Sequence, residues 1–255
     1  MFDLFSDYFA LRGNSAGSLD GRVKLFLAVL AIMAVIVSEK IFFPFSVFLF
    51  SFLILSLIKI PLSLLLLRTL PLLVMALMVF LLKSFLTPGV SIFSFALGSW
   101  LLSATTEGVG AGLLIASRIL GSMSVVLLLG FTTPVYKLFR SLAWYGVPAV
   151  WVEVALLTYR YVFYFLDIAM QVMSAQKVRL GYTGAVRSFN SAGLLSGSVL
   201  VRAFLQAERT GEAMAVRGYS GDFPDTPMDR PSSKDIAFLI LFAFIIVTGF
   251  LLGSV

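Results

Sequence analysis

The stretch "GVGAGLLIASRILGSMSVVLLLGF", residues 108–131, decides the class of fold. It contains a single charged residue, Arg118, and exceeds the roughly 20 residues that a helix needs to cross the hydrocarbon core of a bilayer. Of the whole chain, 60% is hydrophobic and 13% is charged, whereas an average soluble domain is about half apolar and a quarter charged. The sequence therefore predicts an integral membrane protein.

Four further apolar stretches predict transmembrane helices. They cover residues 25–38, 41–58, 70–86 and 236–255. The first two follow each other so closely that we expect a helical hairpin, with the first helix borrowing residues from its polar flank. The expected fold is all-α, a polytopic membrane protein with about five transmembrane helices.

The placement of arginine and lysine orients these spans, because short cytoplasmic loops carry the excess of positive charge. Basic residues precede the first span and lie between the second and third, whereas residues 84–117 contain none. We expect a cytoplasmic N-terminus, an external loop over residues 87–107, and a multi-pass protein of the inner (cytoplasmic) cell membrane. Asp3 and Asp7 precede the first basic residue, which is untypical of a cleaved signal peptide.

Residues 132–235 predict long amphipathic cytoplasmic helices. The region holds 11 of the 19 basic residues and 8 of the 13 acidic ones, so it is too charged to cross a bilayer. Helix-like spacing runs over residues 149–180 and again from Val186 to Val216, and a Pro- and Asp-rich connector follows over residues 220–235. The chain thus divides into an N-terminal transmembrane region, a cytoplasmic helical region and a C-terminal transmembrane helix, residues 1–131, 132–235 and 236–255.

A short polar phrase ends both of these cytoplasmic helices. It is "VRLGYTG" at residues 178–184 and "VRGYSG" at residues 216–221. Glycine after a helix end and a cation in the last turn are ordinary features of a helix C-terminus, so each phrase alone has a simple structural explanation. The extended match favours two docking points for two globular partners. A continuous helix over residues 187–216 would separate the two arginines by up to about 45 Å.

The chemistry of these phrases suits a contact with another protein. Arg179 or Arg217, held at a rigid helix tip, can fork onto a carboxylate in a partner's groove. Tyr182 or Tyr219 can pack beside it, since aromatic and arginine side chains are enriched at protein interfaces.

Several classes of function are excluded because the chain contains neither cysteine nor histidine. It has no thiolate, no common transition-metal ligand and no common general base. No G-x-x-x-x-G-K-[ST] phosphate loop is present, so we expect ATP to be bound by another chain. Scattered carboxylates favour harder cations than cobalt or nickel. We expect no cofactor, no metal site and no nucleic-acid partner in this chain.

Four segments carry a family resemblance. They are "SLDGRVKLFLAV" (18–29), "TTPVYKLFRSLAWYGVP" (132–148), "LLTYRYVFYFLDIA" (156–169) and "QAERTGEAMAVRGYSG" (206–221). In this order they resemble the transmembrane T component of energy-coupling factor transporters, most closely the CbiQ/NikQ branch associated with cobalt and nickel uptake. The resemblance implies a non-catalytic coupling subunit, joined to two ATP-binding cassette ATPase subunits and a separate membrane subunit that captures the substrate.

In that family two Ala-Arg-Gly motifs end cytoplasmic coupling helices, and each inserts into one ATPase subunit. The resemblance gives this docking role to two pairs of residues, Arg179 with Gly181 and Arg217 with Gly218. Val178 and Val216 stand where the family has alanine, and Leu180 separates the first arginine from its glycine.

Small residues and one charged residue within a predicted span lead to further predictions. Gly108, Gly110 and Gly112 predict a helix face that packs within this chain, and Gly193 with Gly197 predicts a crossing against the other cytoplasmic helix. A charge within a span is costly and calls for a partner. For Arg118 two roles are open, either satisfying a carbonyl or carboxylate between helices or contacting the substrate-capturing subunit.

Two other classes of function compete with a coupling subunit. A self-sufficient secondary transporter or channel would need ionisable residues within the spans and often an inverted repeat, whereas the spans contain chiefly Arg118. An intramembrane enzyme is disfavoured, because zinc and serine–histidine chemistries need histidine and no pair of aspartates lies within the spans.

Overall fold

The computed structural model describes residues 19–58, 60–97, 100–219 and 232–254, and it is largely helical, as predicted. The helices are α1 (Gly21–Val37), α2 (Phe42–Leu57), α3 (Leu62–Leu86), α4 (Thr106–Thr132), α5 (Val135–Trp144), α6 (Ala149–Val178), α7 (Ala185–Val216) and α8 (Ser233–Ser254). Two strands, β1 (Ser91–Leu97) and β2 (Trp100–Thr105), lie between α3 and α4. These elements divide into two compact units. One contains α1 to α4, the strands, most of α5 and α8, and the other contains the end of α5 with α6 and α7.

Three helices in the described part of the chain are long and apolar enough to cross a membrane. They are Ser63–Leu86, Thr106–Thr132 and Ala149–Val178, and two shorter apolar helices cover Phe42–Leu57 and Asp235–Leu251. The first two coincide with predicted spans. The third is α6, which the sequence analysis places in the cytoplasm although its length and hydropathy also fit a span, so its cytoplasmic position stays a prediction.

The strands form a hairpin where the sequence analysis predicted only an external loop. They are antiparallel, from the pair Ser91 and Thr105 to the pair Leu97 and Trp100. The Thr105 side chain joins this hairpin to the next helix, because its hydroxyl donates to the Thr87 carbonyl at 2.8 Å and accepts from the Gly108 N–H at 3.1 Å. This N-cap fixes the start of α4 beside the end of α3.

Glycines bring α4 close to α3. A Cβ added at Gly108 would lie 2.7 Å from the Lys83 carbonyl oxygen, and one added at Gly112 would lie 3.0 Å from the Phe80 carbonyl oxygen. These two glycines form the predicted small-residue face. Gly110 has open space around its Cβ position, because a residue two places along a helix points to another side.

Two buried apolar clusters hold α4 within the first unit. One consists of Leu55, Ile60, Leu65 and Phe131, and the other of Ala28, Ala31 and Val125. Each cluster includes a residue of α4, Phe131 or Val125, so this helix is the common partner of α1, α2 and α3.

The two long helices of the second unit, α6 and α7, are antiparallel. Gln176 near the end of α6 donates from Nε2 to the carbonyl of Ser191 near the start of α7, at 3.0 Å. Farther along, the hydroxyls of Tyr161 and Thr210 lie 2.6 Å apart. Since α7 is continuous over 32 residues, its length is about 48 Å. The C-terminal ends of α6 and α7 therefore lie at opposite ends of this pair.

The predicted crossing of α7 against α6 through Gly193 and Gly197 is wrong for the described residues. No atom outside the adjoining residues of α7 lies within 4 Å of the Cβ position of either glycine. The reason lies in helix periodicity, because α7 contacts α6 through Ser191, and Gly193 and Gly197, two and six places along, are rotated from it by about 200° and about 240°. These glycines lie on the side of α7 that faces away from α6.

Candidate partner-docking site

The first predicted tip is the C-terminus of α6, where Arg179 is the C-cap residue. The Leu180 N–H donates to the Lys177 carbonyl at 3.0 Å, and the Gly181 N–H donates to the Gln176 carbonyl at 2.9 Å. This pair of bonds is a Schellman motif, which satisfies the last carbonyls of the helix. Leu180 occupies its left-handed position, with φ at 57°.

The second predicted tip, the C-terminus of α7, has the same geometry. Arg217 is the C-cap residue. The Gly218 N–H donates to the Ala215 carbonyl at 3.0 Å, and the Tyr219 N–H donates to the Met214 carbonyl at 3.0 Å. Gly218 takes the left-handed position with φ at 75°. The two arginines therefore occupy equivalent positions in two equivalent motifs.

The geometry corrects the sequence alignment of the two tips. The two phrases pair Gly181 with Gly218 as the glycine that follows each helix end, but Leu180 and not Gly181 takes the left-handed position in the first copy. Gly181 is needed for a different reason. A Cβ there would lie 2.7 Å from Ser191 Oγ, and the Ser191 hydroxyl donates to the Gly181 carbonyl at 2.8 Å. The absence of a side chain lets the turn approach α7.

The two predicted support tyrosines, Tyr182 and Tyr219, each use their hydroxyl within the helix pair. Tyr182 donates to Oε1 of Gln176 at 2.8 Å, and Tyr219 donates to Oε2 of Glu153 at 3.0 Å. Gln176 belongs to the last turns of α6 and Glu153 to its beginning. Each tyrosine thus ties its tip to the body of the helix pair, and its packing against a partner stays a prediction.

Both tips present a cation among exposed apolar side chains. Arg179 and Arg217 are exposed, and neither guanidinium makes a hydrogen bond or ion pair within the described residues. The preceding valines are more exposed than most apolar residues, 84% for Val178 and 89% for Val216, and Leu180 is 62% exposed. Such a tip can donate a bidentate pair of hydrogen bonds to a carboxylate while its apolar neighbours lose contact with water.

Arg118 lies near the middle of α4 and has a partner inside the first unit. Its guanidinium donates to the Ser38 carbonyl from Nε at 3.1 Å and from Nη2 at 2.7 Å. Ser38 is the buried C-cap residue of α1, and carbonyls at a helix end lack partners within the helix. The sequence left two roles open for Arg118, and this contact is the first of them, in which the side chain satisfies a carbonyl between helices. Contact of Arg118 with a substrate-capturing subunit stays a prediction.

Comparison with known proteins connects the chain to a transport family. The sequence model of the CbiQ family, described as cobalt transport protein, matches residues 13–228. A cobalt transport protein CbiQ of Rhodobacter capsulatus is 29% identical over 171 residues, 66% of this chain and 70% of that protein. A putative fused cobalt transport protein CbiMQ of Methanocorpusculum labreanum is 27% identical over 59% of this chain and 25% of its own length.

Two uncharacterized proteins of Methanocaldococcus jannaschii are also similar. They are 31% and 32% identical over 66% and 64% of this chain. The chain spans 63% and 56% of their respective lengths, less than two thirds in both cases.

Proposed function

The chain belongs to the CbiQ family of cobalt transport proteins, and on this premise we propose that it is the transmembrane coupling subunit of an ATP-driven energy-coupling factor uptake transporter for cobalt or nickel ions. The family match confirms the CbiQ branch predicted from the sequence. Together with the apolar helices it makes the chain a multi-pass membrane protein. The inner membrane and a cytoplasmic N-terminus are part of the proposal.

The observation that carries the proposal is the pair of equivalent tips. Arg179 and Arg217 are both exposed C-cap residues of Schellman motifs, and each follows an exposed valine. Equivalent tips at opposite ends of one helix pair suit two equivalent partners. In the proposed complex each arginine binds a carboxylate in a groove of one ATP-binding cassette ATPase subunit.

The helix pair is the proposed lever. When ATP brings the two ATPase subunits together, the docked tips move with them. The hydrogen bond of Tyr161 with Thr210 joins α6 to α7, and that of Tyr219 joins the turn after α7 to Glu153 of α6, and both support transmission along the pair. ATP is hydrolysed on the partner subunits in this scheme, and the coupling subunit itself is not an enzyme.

A separate integral membrane subunit captures the ion in the proposed transporter. One relative is described as a putative fused cobalt transport protein CbiMQ, and the present chain aligns with 25% of its length. The rest of that relative supports the existence of a functional partner. For this chain, we propose that the partner is a second polypeptide in the same bilayer.

Charge reversal at the tips tests the proposal. Arg179→Glu and Arg217→Glu, separately and together, should each weaken the affinity for the ATPase about 30-fold or more, because a carboxylate then faces a carboxylate. The measurement is the amount of ATPase that copurifies with the tagged chain from native membranes, counted by mass spectrometry. Arg202→Glu, at an exposed position in the body of α7, is the matched control and should retain the ATPase.

Two results would contradict the proposal. One is a double variant that keeps its ATPase and its ATP-coupled uptake. The other is ion uptake into liposomes by the isolated chain under an ion gradient, which would favour the alternative of a self-sufficient secondary transporter or channel.

A further inference from the structure

Leu180 has a backbone conformation that its side chain disfavours. It is the non-glycine residue with positive φ, 57°, in the described part of the chain. In this left-handed region the Cβ of an L-residue comes too close to the following carbonyl oxygen, and only glycine adopts it without that penalty. The second tip has Gly218 at the equivalent position. A glycine would therefore fit the first tip better than the leucine that is present.

The local structure holds Leu180 in this conformation. Its N–H donates to the Lys177 carbonyl, and its carbonyl accepts from the Thr183 N–H at 3.3 Å and the Thr183 hydroxyl at 2.7 Å. The next residue, Gly181, is fixed against Ser191 of α7. A strained backbone conformation that several surrounding contacts enforce in this way is typical of functional sites.

The leucine side chain contributes little to the packing of its own unit. It is 62% exposed and stands two residues from Val178, which is 84% exposed. The chain thus keeps a strained residue whose apolar side chain faces outward, directly beside the exposed Arg179. An apolar group in this position gains stability only when something covers it.

We propose that Leu180 is a second docking residue of the first tip, and that its side chain enters an apolar pocket of the ATPase subunit that receives Arg179. This inference rests on the proposed function. The second tip has no equivalent side chain, because Gly218 occupies that position. The two tips therefore share one backbone geometry but differ in this side chain, and the tip of α6 binds its ATPase more tightly than the tip of α7.

Two substitutions separate the side chain from the backbone. Leu180→Gly removes both the side chain and the strain, and Leu180→Asn keeps a side chain of similar length that tolerates the left-handed region but is polar. Both are made in an Arg217→Glu background, where only the first tip can dock. The probe is the ATPase subunit that copurifies with the tagged wild-type chain, titrated onto the full-length chain in nanodiscs.

Both variants should bind this ATPase about tenfold more weakly than the Arg217→Glu parent, because a leucine side chain no longer enters the pocket. Their thermal midpoints should equal or exceed that of the parent. The same substitutions in an Arg179→Glu background, where only the second tip docks, should leave the affinity unchanged.

An affinity within twofold of the parent in the Arg217→Glu background would overturn the inference, and so would a large fall in the thermal midpoint, which would make Leu180 a structural residue. Failure of the proposed function is distinguishable. In that case the two arginine backgrounds themselves would bind the ATPase as well as the wild-type chain does, whatever residue stands at position 180.

Discussion

At the scale of single residues, the position of the two arginines at helix ends was predictable from the sequence, but the geometry of the caps was not. Arg179 and Arg217 stand out because the same polar phrase follows two helical patterns. Sequence reasoning then aligned glycine with glycine, since glycine is the usual left-handed cap. Nothing in local propensity predicts a leucine at that position, so the equivalence of Leu180 with Gly218 emerges only from the backbone.

Gly181 is a residue whose structural role yields a prediction. Gly181→Ala should lower the free energy of unfolding by about 1–3 kcal/mol, because the new methyl group would overlap Ser191 Oγ and forces the turn away from α7. The measurement is the thermal or denaturant midpoint of the full chain in nanodiscs. Gly197→Ala on α7, where the Cβ position is open, is the control and should be neutral or stabilising by up to about 1 kcal/mol.

The two substitutions also distinguish packing from docking at this position. Equal stability of Gly181→Ala and Gly197→Ala, with lost ATPase binding only in the former, would contradict the packing role described for Gly181. Gly181 would then serve docking alone, which is the role that the family resemblance implies.

At the scale of helices and strands, hydrophobic periodicity predicted the helices themselves, and two of the five predicted spans, 70–86 and 108–131, coincide with helices long and apolar enough to cross a membrane. It missed the hairpin of β1 and β2, because in a chain that is 60% hydrophobic the short alternation of "SIFSFAL" is hardly distinguishable from apolar helix or loop. It also left the environment of α6 ambiguous. Charged residues recur along this helix, yet its length and hydropathy match those of a span.

Close helix packing around α4 gives a prediction at this scale. A Cβ at Gly121 would lie 2.7 Å from the Pro44 carbonyl oxygen of α2, whereas Gly110 on the same helix has open space. Gly121→Ala should therefore separate α4 from α2 and destabilise the chain by about 1–3 kcal/mol. Gly110→Ala should be neutral or slightly stabilising. Equal thermal midpoints for the two variants would show that α2 does not pack on α4 as closely as described.

At the scale of the whole molecule, the chain has two compact units, whereas its division into a transmembrane and a cytoplasmic region stays a prediction. The first unit contains the bundle around α4, and the second contains the antiparallel pair of α6 and α7 with one arginine at each end. The uneven distribution of charge is visible in the sequence itself, because residues 132–235 hold 11 of the 19 basic residues and 8 of the 13 acidic ones. The sequence and structure of one chain do not identify its partners or the transported ion, so both are inferred from the family and belong to the proposal.

The central claim is that each tip contacts its own ATPase subunit, and site-specific photo-crosslinking in native membranes tests it most directly. The crosslinking residue replaces Val178 or Val216, which leaves both arginines in place, and Leu200 in the exposed body of α7 is the control position. The account predicts a crosslink to the ATPase from each tip and none from position 200. Crosslinks from both tips only to this chain or to lipid, with no ATPase attached, would contradict it.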